Sequence, residues 1–157
     1  MHPNETLIHR FYQAFQQKDY KTMKACYAPD ADFNDPVSQG LNGIEAGVMW
    51  EMLIKQGKDL ELSYDAVKVE DNVGSAEWTA SYTFTATKKH VVNHIKAQFL
   101  FEDGLIKSHL DHFDFHQWSK QALGPLGKVL GWTPFLKSSV QNYAKKNLKS
   151  YMKKKGY

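Results

Sequence analysis

The N-terminal third of the chain has the apolar spacing of amphipathic helices. In the first helix, apolar side chains recur at the intervals of one buried helical stripe, at Leu7, Ile8, Phe11, Tyr12 and Phe15. A second, shorter helix follows Asp19, which can cap it, and Pro29 prevents its simple continuation. A third begins after Asn42 and ends near Gly57, a residue suited to a left-handed stop. The pattern predicts three helices, with a short extended segment through Phe33 between the last two.

Downstream of the third helix the apolar period changes from 3.6 to 2, which is typical of strands with one buried face. Four such runs begin at Leu60, Ala76, Val91 and Leu105. A phase slip near Asp65 predicts a bulge in the first run, and Asp103-Gly104 is a hairpin signal between the last two. Short turns between consecutive runs predict an antiparallel meander with the helices on its inner face, which is an α+β fold.

The C-terminal segment predicts a basic helical extension. A long helix starts at Pro134, and its apolar stripe comprises Phe135, Leu136, Val140, Tyr143, Ala144, Leu148, Tyr151 and Met152. Residues 115–157 contain nine lysines and no acidic residue, although the net charge of the whole chain is only +3. We expect an α+β domain over residues 1–118 and a basic extension over residues 119–157, packed on the same domain.

Composition excludes several classes of function. A chain of 157 residues, 42% hydrophobic and 24% charged, is typical of one soluble domain, and no apolar run approaches a membrane span. Cys26 is the only cysteine, and the N-terminus lacks a secretory pattern, so we expect a cytoplasmic protein. The seven histidines lack zinc-motif spacing, and there is no glycine-rich phosphate loop. We therefore expect no metal and no cofactor.

The order of these elements resembles the nuclear transport factor 2-like superfamily, which includes ketosteroid isomerases, limonene epoxide hydrolases and SnoaL-like polyketide cyclases. The resemblance covers roughly residues 5–116 and is carried by Tyr27–Pro36 (YAPDADFNDP) and Phe101–Ile106 (FEDGLI). It implies a cone-shaped barrel, in which a curved antiparallel sheet wraps around three N-terminal helices and the mouth holds an apolar pocket. It also implies a homodimer formed through the outer face of the sheet. The segment from His116 onward looks like an extra element of a SnoaL-like subgroup.

Asp35, directly before Pro36, matches the position of the general base in the ketosteroid isomerases. A carboxylate at the rim of an apolar pocket can move protons when burial brings its pKa nearer the working pH. The alternative is a turn aspartate whose carboxylate accepts backbone hydrogen bonds. The isomerases also use two oxyanion donors, but the matching positions hold Phe11 and Ala97, neither of which can donate. The resemblance therefore argues against ketosteroid isomerisation itself.

The last strand carries further acid and base groups on both of its faces. His109 and Asp111 share one face, and His112 and Asp114 share the other. In the polyketide-cyclase relatives an acidic residue lies in the pocket at the position that matches Asp111. A strict two-residue hairpin would turn the other face inward instead, whereas a bulge or a three-residue loop would place Asp111 and His109 in the pocket. We expect Asp111 to be a second acid or base with His109 as its partner.

The expected ligand is a small apolar molecule that carries oxygen. The aromatic residues that could line its pocket are Tyr12, Phe33, Trp50, Trp78, Tyr82 and Phe99. The leading hypothesis is a cofactor-free isomerase, cyclase or hydratase that uses carboxylate acid and base chemistry, and the alternative is a binding or interaction module without chemistry. The basic helix can contact an acidic surface, but it contains no arginine, so we expect no specific nucleic-acid readout.

Overall fold

The computed structural model describes all 157 residues, which form six helices and six strands. The helices are α1 (Pro3–Gln16), α2 (Tyr20–Ala25), α3 (Gly43–Gln56), α4 (Phe115–Leu123), α5 (Pro125–Leu130) and α6 (Pro134–Lys155). The strands are β1 (Tyr27–Asn34), β2 (Leu41–Asn42), β3 (Glu61–Glu70), β4 (Val73–Phe84), β5 (Lys89–Glu102) and β6 (Leu105–His112). None of the helices combines the length and the apolar character needed to cross a membrane.

The three predicted N-terminal helices are confirmed, and their starts follow from local capping. The Asp19 side chain accepts the Thr22 N–H at the start of α2. At the start of α3, Asn42 and Glu45 form a reciprocal capping box. The expected left-handed stop at Gly57 is wrong, because its φ is −89°. Glycine is required there for a different reason: a Cβ would lie 2.8 Å from the Leu53 carbonyl oxygen.

The α+β architecture is confirmed, with one six-stranded sheet in the order β2-β1-β6-β5-β4-β3. Strands β3 to β6 form the antiparallel meander, and β1 joins it by pairing with β6 in parallel. The sheet is curved but unclosed, since β2 and β3 remain at its two edges. Helix α1 packs against β3 and α3 packs against β1, so opposite sides of the sheet curl around the helices. The predicted bulge in β3 is present beside Asp65.

A turn and a bulge together determine which face of β6 points inward. Asp103 and Gly104 have φ values of 54° and 76°, as a two-residue hairpin turn requires, and the turn pairs Phe101 with Ile106. The register then shifts by one residue, so that Leu100 faces Ser108. Lys107 is the extra residue of this bulge. Beyond it, every side chain of β6 is on the face opposite to the one that the turn alone would give.

The C-terminal segment packs directly on the domain. Strand β6 ends at His112, because the Asp114 side chain accepts the Gln117 N–H and thereby caps α4. Helix α4 runs across the expected domain boundary at residue 118 and packs against β5.

Helix α6 lies against α3 and is held at both ends. Near its start, the Gln141 side chain donates to the Pro36 carbonyl oxygen at 2.9 Å. Near its end, the hydroxyls of Tyr151 and Tyr157 donate to the carboxylate of Glu51, a residue of α3 that is only 1% exposed. The buried stripe of α6 includes Leu136 and Leu148, whereas Phe135, expected on that stripe, is 76% exposed.

The carboxylate of Glu51 is the polar anchor of α6. Lys24 donates to it at 2.6 Å, in addition to the two tyrosines. Burial alone would raise the pKa of Glu51, but the hydrogen bonds from Lys24, Tyr151 and Tyr157 outweigh burial and lower the pKa to about 2. The anchor is therefore charged at neutral pH.

Glu51→Gln is expected to loosen the C-terminal end of α6 and to lower the free energy of unfolding by about 1 to 3 kcal/mol. The substitution retains the side-chain shape but removes the charge on which the three donors converge. Amide hydrogen exchange over residues 148–157 should quicken, while exchange in β5 should change less. Glu61→Gln, at an exposed position of β3, is the matched control. Unchanged exchange at the end of α6 would show that Glu51 does not anchor it.

Candidate active site

A partly open apolar cavity of about 200 Å³ lies between α3, α6 and the inner face of the sheet. Of its 27 lining residues, 18 are hydrophobic. Helix α3 contributes Met49 and Trp50, the strands contribute Trp78 and Ile95, and α6 contributes Leu148. Two carboxyl side chains, Asp35 and Asp111, line the same cavity. In so apolar a space these two groups dominate the chemistry that is available.

Asp35 follows β1 and is held in a tight turn at the cavity wall. Its Oδ1 accepts the backbone N–H groups of Val37 at 2.7 Å and Ser38 at 2.6 Å. These two bonds are those of the expected aspartate turn, so the turn and the cavity position occur together. Burial raises the pKa of Asp35 to about 7, assisted by the negative charge of Asp111 and opposed by the two backbone hydrogen bonds.

Asp111 lies on the inner face of β6 and is 2% exposed. Its Oδ1 accepts from His109 Nε2 at 2.9 Å and from Trp78 Nε1 at 3.4 Å. Its Oδ2 is buried and has no hydrogen-bond partner. One oxygen of the carboxyl group is thus fixed by two donors, while the other is buried and accepts no hydrogen bond.

A relay of hydrogen bonds behind Asp111 orients His109. Trp50 Nε1 donates to the Tyr27 hydroxyl oxygen at 2.9 Å, and the same hydroxyl lies 2.7 Å from His109 Nδ1. Burial raises the pKa of Tyr27 well above its usual value, so its hydroxyl keeps its proton and donates it to Nδ1. Nδ1 is then an acceptor, and Nε2 carries the hydrogen that Asp111 accepts. The relay selects one neutral tautomer of His109 and directs its N–H at the carboxylate.

Two neutral polar groups complete the cavity wall. The Tyr82 hydroxyl oxygen accepts from Trp118 Nε1 at 2.8 Å, which leaves its own hydrogen to donate. Burial raises the pKa of Tyr82, and the charge of Asp35 raises it further. Asn93 is 9% exposed and presents its amide to the cavity from β5. Both groups are placed to hydrogen-bond an oxygen of a ligand.

Asp35 and Asp111 line the cavity, whereas His109, which the sequence predicted in the pocket, lies behind the cavity wall and contacts Asp111. Of the aromatic residues expected in the pocket, Trp50, Trp78 and Tyr82 line the cavity. The others, Tyr12, Phe33 and Phe99, are fully or almost fully buried behind its wall.

The two phenylalanines behind the wall support His109. The rings of Phe33 and Phe99 lie 5.0 and 4.4 Å from the His109 ring, centroid to centroid. The buried Tyr12 hydroxyl has no hydrogen-bond partner, and burial raises its pKa, with Asp111 and Tyr27 adding to the shift. Phe33 and Phe99 thus position the relay and do not line the cavity. The other two candidates, His112 and Asp114, face away from the cavity: His112 is exposed, and Asp114 caps α4.

Sequence reasoning missed the part of the cavity that α4 and α6 provide. Trp118 and the α6 residues Val140, Ala144 and Asn147 line it, so α6 forms part of the cavity wall. Apolar periodicity identifies most of these residues as buried but does not indicate what they cover. The inward orientation of Asn93 could have been predicted, because Asn93 lies between Val91 and Ile95 on the buried face of β5.

The arrangement suits proton transfer. One carboxyl group has a pKa of about 7, and a second, fixed carboxylate has one free oxygen, so the site can give and accept a proton near neutral pH. The structure brings together no group of three histidine, cysteine, aspartate or glutamate side chains that could hold a metal ion.

Comparisons with known proteins agree with this architecture. The sequence profile of the SnoaL-like domain family matches residues 8–109. No curated protein matches the chain in sequence.

Three solved structures illustrate the shared fold. An NTF2-like protein of unknown function from Burkholderia pseudomallei superposes with a TM-score of 0.67 at 18% identity, over 78% of this chain and 98% of its own. A Jannaschia protein named after the SnoaL-like polyketide cyclases also gives 0.67, at 16% identity, over 78% and 93%. An LEH-like epoxide hydrolase from Mycobacterium tuberculosis gives 0.63 at 17% identity, over 82% and 93%. At these identities the likeness shows the fold alone.

Proposed function

The chain belongs to the SnoaL-like domain family, and on this premise we propose that its cavity binds a small, mostly apolar, oxygen-bearing molecule and catalyses proton transfer on it. The reaction is a cofactor-free isomerisation, cyclisation or hydration. One observation carries the proposal: Asp35, with a pKa of about 7, and Asp111, with a free oxygen, line the same apolar cavity. Such a pair provides an acid and a base at one pH.

The charges suggest a division of roles in which Asp35 is the acid, the reverse of the role expected from the sequence. Near pH 7 Asp35 holds a proton in part of the molecules, while Asp111 supplies the negative charge that favours this state. Asp111 Oδ2 would remove a proton from a carbon atom or from water, and Asp35 would donate its proton to the substrate oxygen. His109 acts through Asp111 and is a positioning residue.

The candidate reactions balance with these two groups. In a hydration that opens an epoxide, Asp111 takes a proton from the water as its oxygen bonds to carbon and the epoxide carbon–oxygen bond breaks, and Asp35 protonates the released oxygen. In an aldol-type cyclisation, Asp111 takes a proton from carbon, that carbon bonds to the carbonyl carbon, and Asp35 protonates the carbonyl oxygen. In either case one proton then returns from Asp111 to Asp35, directly or through solvent. In an isomerisation, Asp111 takes a proton from one carbon while Asp35 protonates the oxygen, and both protons then return as the double bond settles in its new position. The names of the epoxide hydrolase and of the polyketide-cyclase relative agree with this range of reactions.

The volume of the cavity favours ligands of one or two rings. At about 200 Å³ it is only somewhat larger than an engineered cavity of roughly 150 Å³ that holds benzene. A four-ring steroid is larger than this volume, so we expect it to bind poorly. We therefore place the substrate among monocyclic or bicyclic terpenoid or aromatic compounds that carry an epoxide, carbonyl or hydroxyl oxygen.

Binding of limonene 1,2-epoxide and 1-naphthol, with progesterone as the oversized comparison, tests this proposal by thermal shift. Ligand-induced stabilisation is expected from the first two compounds and not from the steroid. Ala144→Trp, which fills the cavity from α6, is expected to weaken binding about tenfold or more. Asn142→Trp, at an exposed position of the same helix, is the control. Equal binding by wild type and Ala144→Trp would exclude this cavity as the site.

A non-catalytic binding module is the second candidate, because most of the cavity wall is apolar. Once a ligand is found, the two candidates predict different effects of Asp111→Asn on its turnover. An enzyme loses turnover by a factor of about 10² to 10⁴ while binding is kept, whereas a binder shows no turnover in either form.

With Asp35 as the acid, turnover declines as the pH rises through about 7. An increase over that range would assign Asp35 as the base.

A further inference from the structure

Four large apolar side chains project into solvent around α5 and the start of α6. They are Leu126 at 52% exposed, Val129 at 65%, Trp132 at 72% and Phe135 at 76%. Leu126 and Val129 are three residues apart on one side of α5, and Trp132 Nε1 donates to the Val129 carbonyl oxygen at 2.9 Å. We call these four residues the apolar ridge. Large exposed apolar side chains that lie this close together in the chain indicate an interaction surface, whereas apolar residues exposed singly are ordinary.

The outer face of α6 continues from the apolar ridge as a row of lysines. At 100° per residue, Phe135, Lys146, Lys149 and Lys153 lie within about 40° of one direction. They extend over roughly 27 Å at 1.5 Å per residue. None of the nine lysines of residues 115–157 takes part in a salt bridge, and the segment contains no acidic side chain. The surface therefore combines exposed apolar side chains with uncompensated positive charge.

We propose that α5 and the outer face of α6 dock this protein on anionic lipid membranes. Trp132 and Phe135 would enter the interface between headgroups, and the lysines of α6 would lie along the negatively charged headgroups. Tryptophan favours the membrane interface, and basic residues near it are attracted to anionic lipid. The charge of the surface thus complements the lipid, and its apolar ridge matches the boundary between headgroups and acyl chains.

A polyanion such as RNA fits the same surface less well. Lysine is a point charge, and the segment has no arginine for bidentate phosphate contacts. Backbone phosphate binding also needs no exposed Leu126, Val129 and Phe135. Membrane docking has a consequence for the cavity, because the opposite face of α6 lines it through Val140, Ala144 and Leu148. The cavity would then lie next to the bilayer, where small apolar molecules concentrate, although the docking does not depend on the proposed chemistry.

Vesicle flotation and tryptophan fluorescence test the proposal on the full chain. The vesicles contain phosphatidylcholine, either alone or with about one-third phosphatidylserine, at about 0.1 and 0.5 M NaCl. Binding is expected only with phosphatidylserine, and it should weaken at high salt. Trp50, Trp78 and Trp118 are at most 7% exposed, so a blue shift on vesicles reports on Trp132. Trp132→Phe should lose most of that shift and keep binding.

Variants separate the two parts of the surface. Trp132→Ser with Phe135→Ser, and Lys146→Glu with Lys149→Glu and Lys153→Glu, are each expected to weaken vesicle binding about tenfold or more. Matched controls on the outer face of the sheet are Leu100→Ser with Leu110→Ser, and Lys68→Glu with Lys96→Glu, which should bind as wild type does. All of these positions are exposed, and circular dichroism confirms that each variant is folded.

Three outcomes overturn the proposal. Absence of binding to the phosphatidylserine vesicles is the first. The second is vesicle binding that the Trp132 and Phe135 substitutions do not weaken, since the apolar ridge would then have no part in it. The third is binding to heparin that is tighter than binding to vesicles and that the Trp132 and Phe135 substitutions do not weaken. This result would show that the lysines bind a soluble polyanion.

Discussion

Asp35→Asn is expected to make the protein more stable than wild type at pH 8, by about 2 to 4 kcal/mol in the free energy of unfolding. Between the ordinary aspartate pKa of 3.8 and the raised value of about 7, the folded protein holds a proton on Asp35 that the unfolded chain has released. Stability therefore falls as the pH rises through this window, and the loss is complete above about pH 7. Asparagine removes the ionisable group but retains an Oδ1 that can accept from Val37 and Ser38.

Thermal unfolding from pH 4 to pH 8 measures this effect directly. The two proteins should unfold at similar temperatures at pH 4 and separate progressively, reaching a difference on the order of 10 °C at pH 8. Asp32→Asn removes an exposed carboxylate from β1, the strand that precedes Asp35, and is the control. If Asp35→Asn and wild type are equally stable at pH 8, Asp35 is an ordinary turn residue, and the proposed acid role is wrong.

His109→Ala is expected to lower the free energy of unfolding by about 3 to 5 kcal/mol. The side chain is 1% exposed, and its loss opens a cavity among Phe33, Phe99 and Trp50. The loss also leaves the buried Asp111 carboxylate with only the long bond from Trp78, and the Tyr27 hydroxyl with no acceptor. Truncating one member of such a network costs more than the interaction itself, because its partners remain buried.

Urea unfolding at pH 7 measures this loss, with His112→Ala as the control. His112 is exposed on the other face of the same strand, and its truncation should change stability by less than about 0.5 kcal/mol. The double variant His109→Ala with Asp111→Ala should cost less than the two single variants added together, by about 1 kcal/mol or more. Additive losses, or a loss of less than about 1 kcal/mol for His109→Ala, would contradict the relay described above.

Much of the fold was predictable from the sequence, because each helix and strand buries one face and therefore carries a period. The direction in which β6 points was harder to predict. Asp103-Gly104 specifies a two-residue turn that alone would have placed Asp111 outside, and only the bulge at Lys107 reverses this. A bulge follows from the packing of a whole strand and has no local signal as strong as that of the turn.

Features that depend on contacts between distant segments could not be predicted in the same way. In the sequence, Glu51 is one polar position on an amphipathic helix. It is buried in the structure because Tyr151 and Tyr157, which lie about a hundred residues later, both donate to its carboxylate. The periodicity of α6 includes Phe135 in the apolar stripe, but the packing of the helix leaves that residue exposed. The aromatic residues were placed in the interior correctly as a class. Which of them face the cavity depends on side-chain packing that periodicity does not describe.

Titration of the Asp35 carboxyl group shows directly whether this cavity contains an acid near neutral pH. Carbon-13 NMR of protein labelled at the aspartate side-chain carboxyl carbons, with Asp35→Asn to assign the resonance, follows this one group between pH 3 and pH 9. We expect a midpoint near 7, because the apolar cavity and the charge of Asp111 outweigh the two backbone hydrogen bonds. A midpoint near 4, the value of an ordinary aspartate, would contradict the proposed acid role, since Asp35 would then hold no proton at neutral pH.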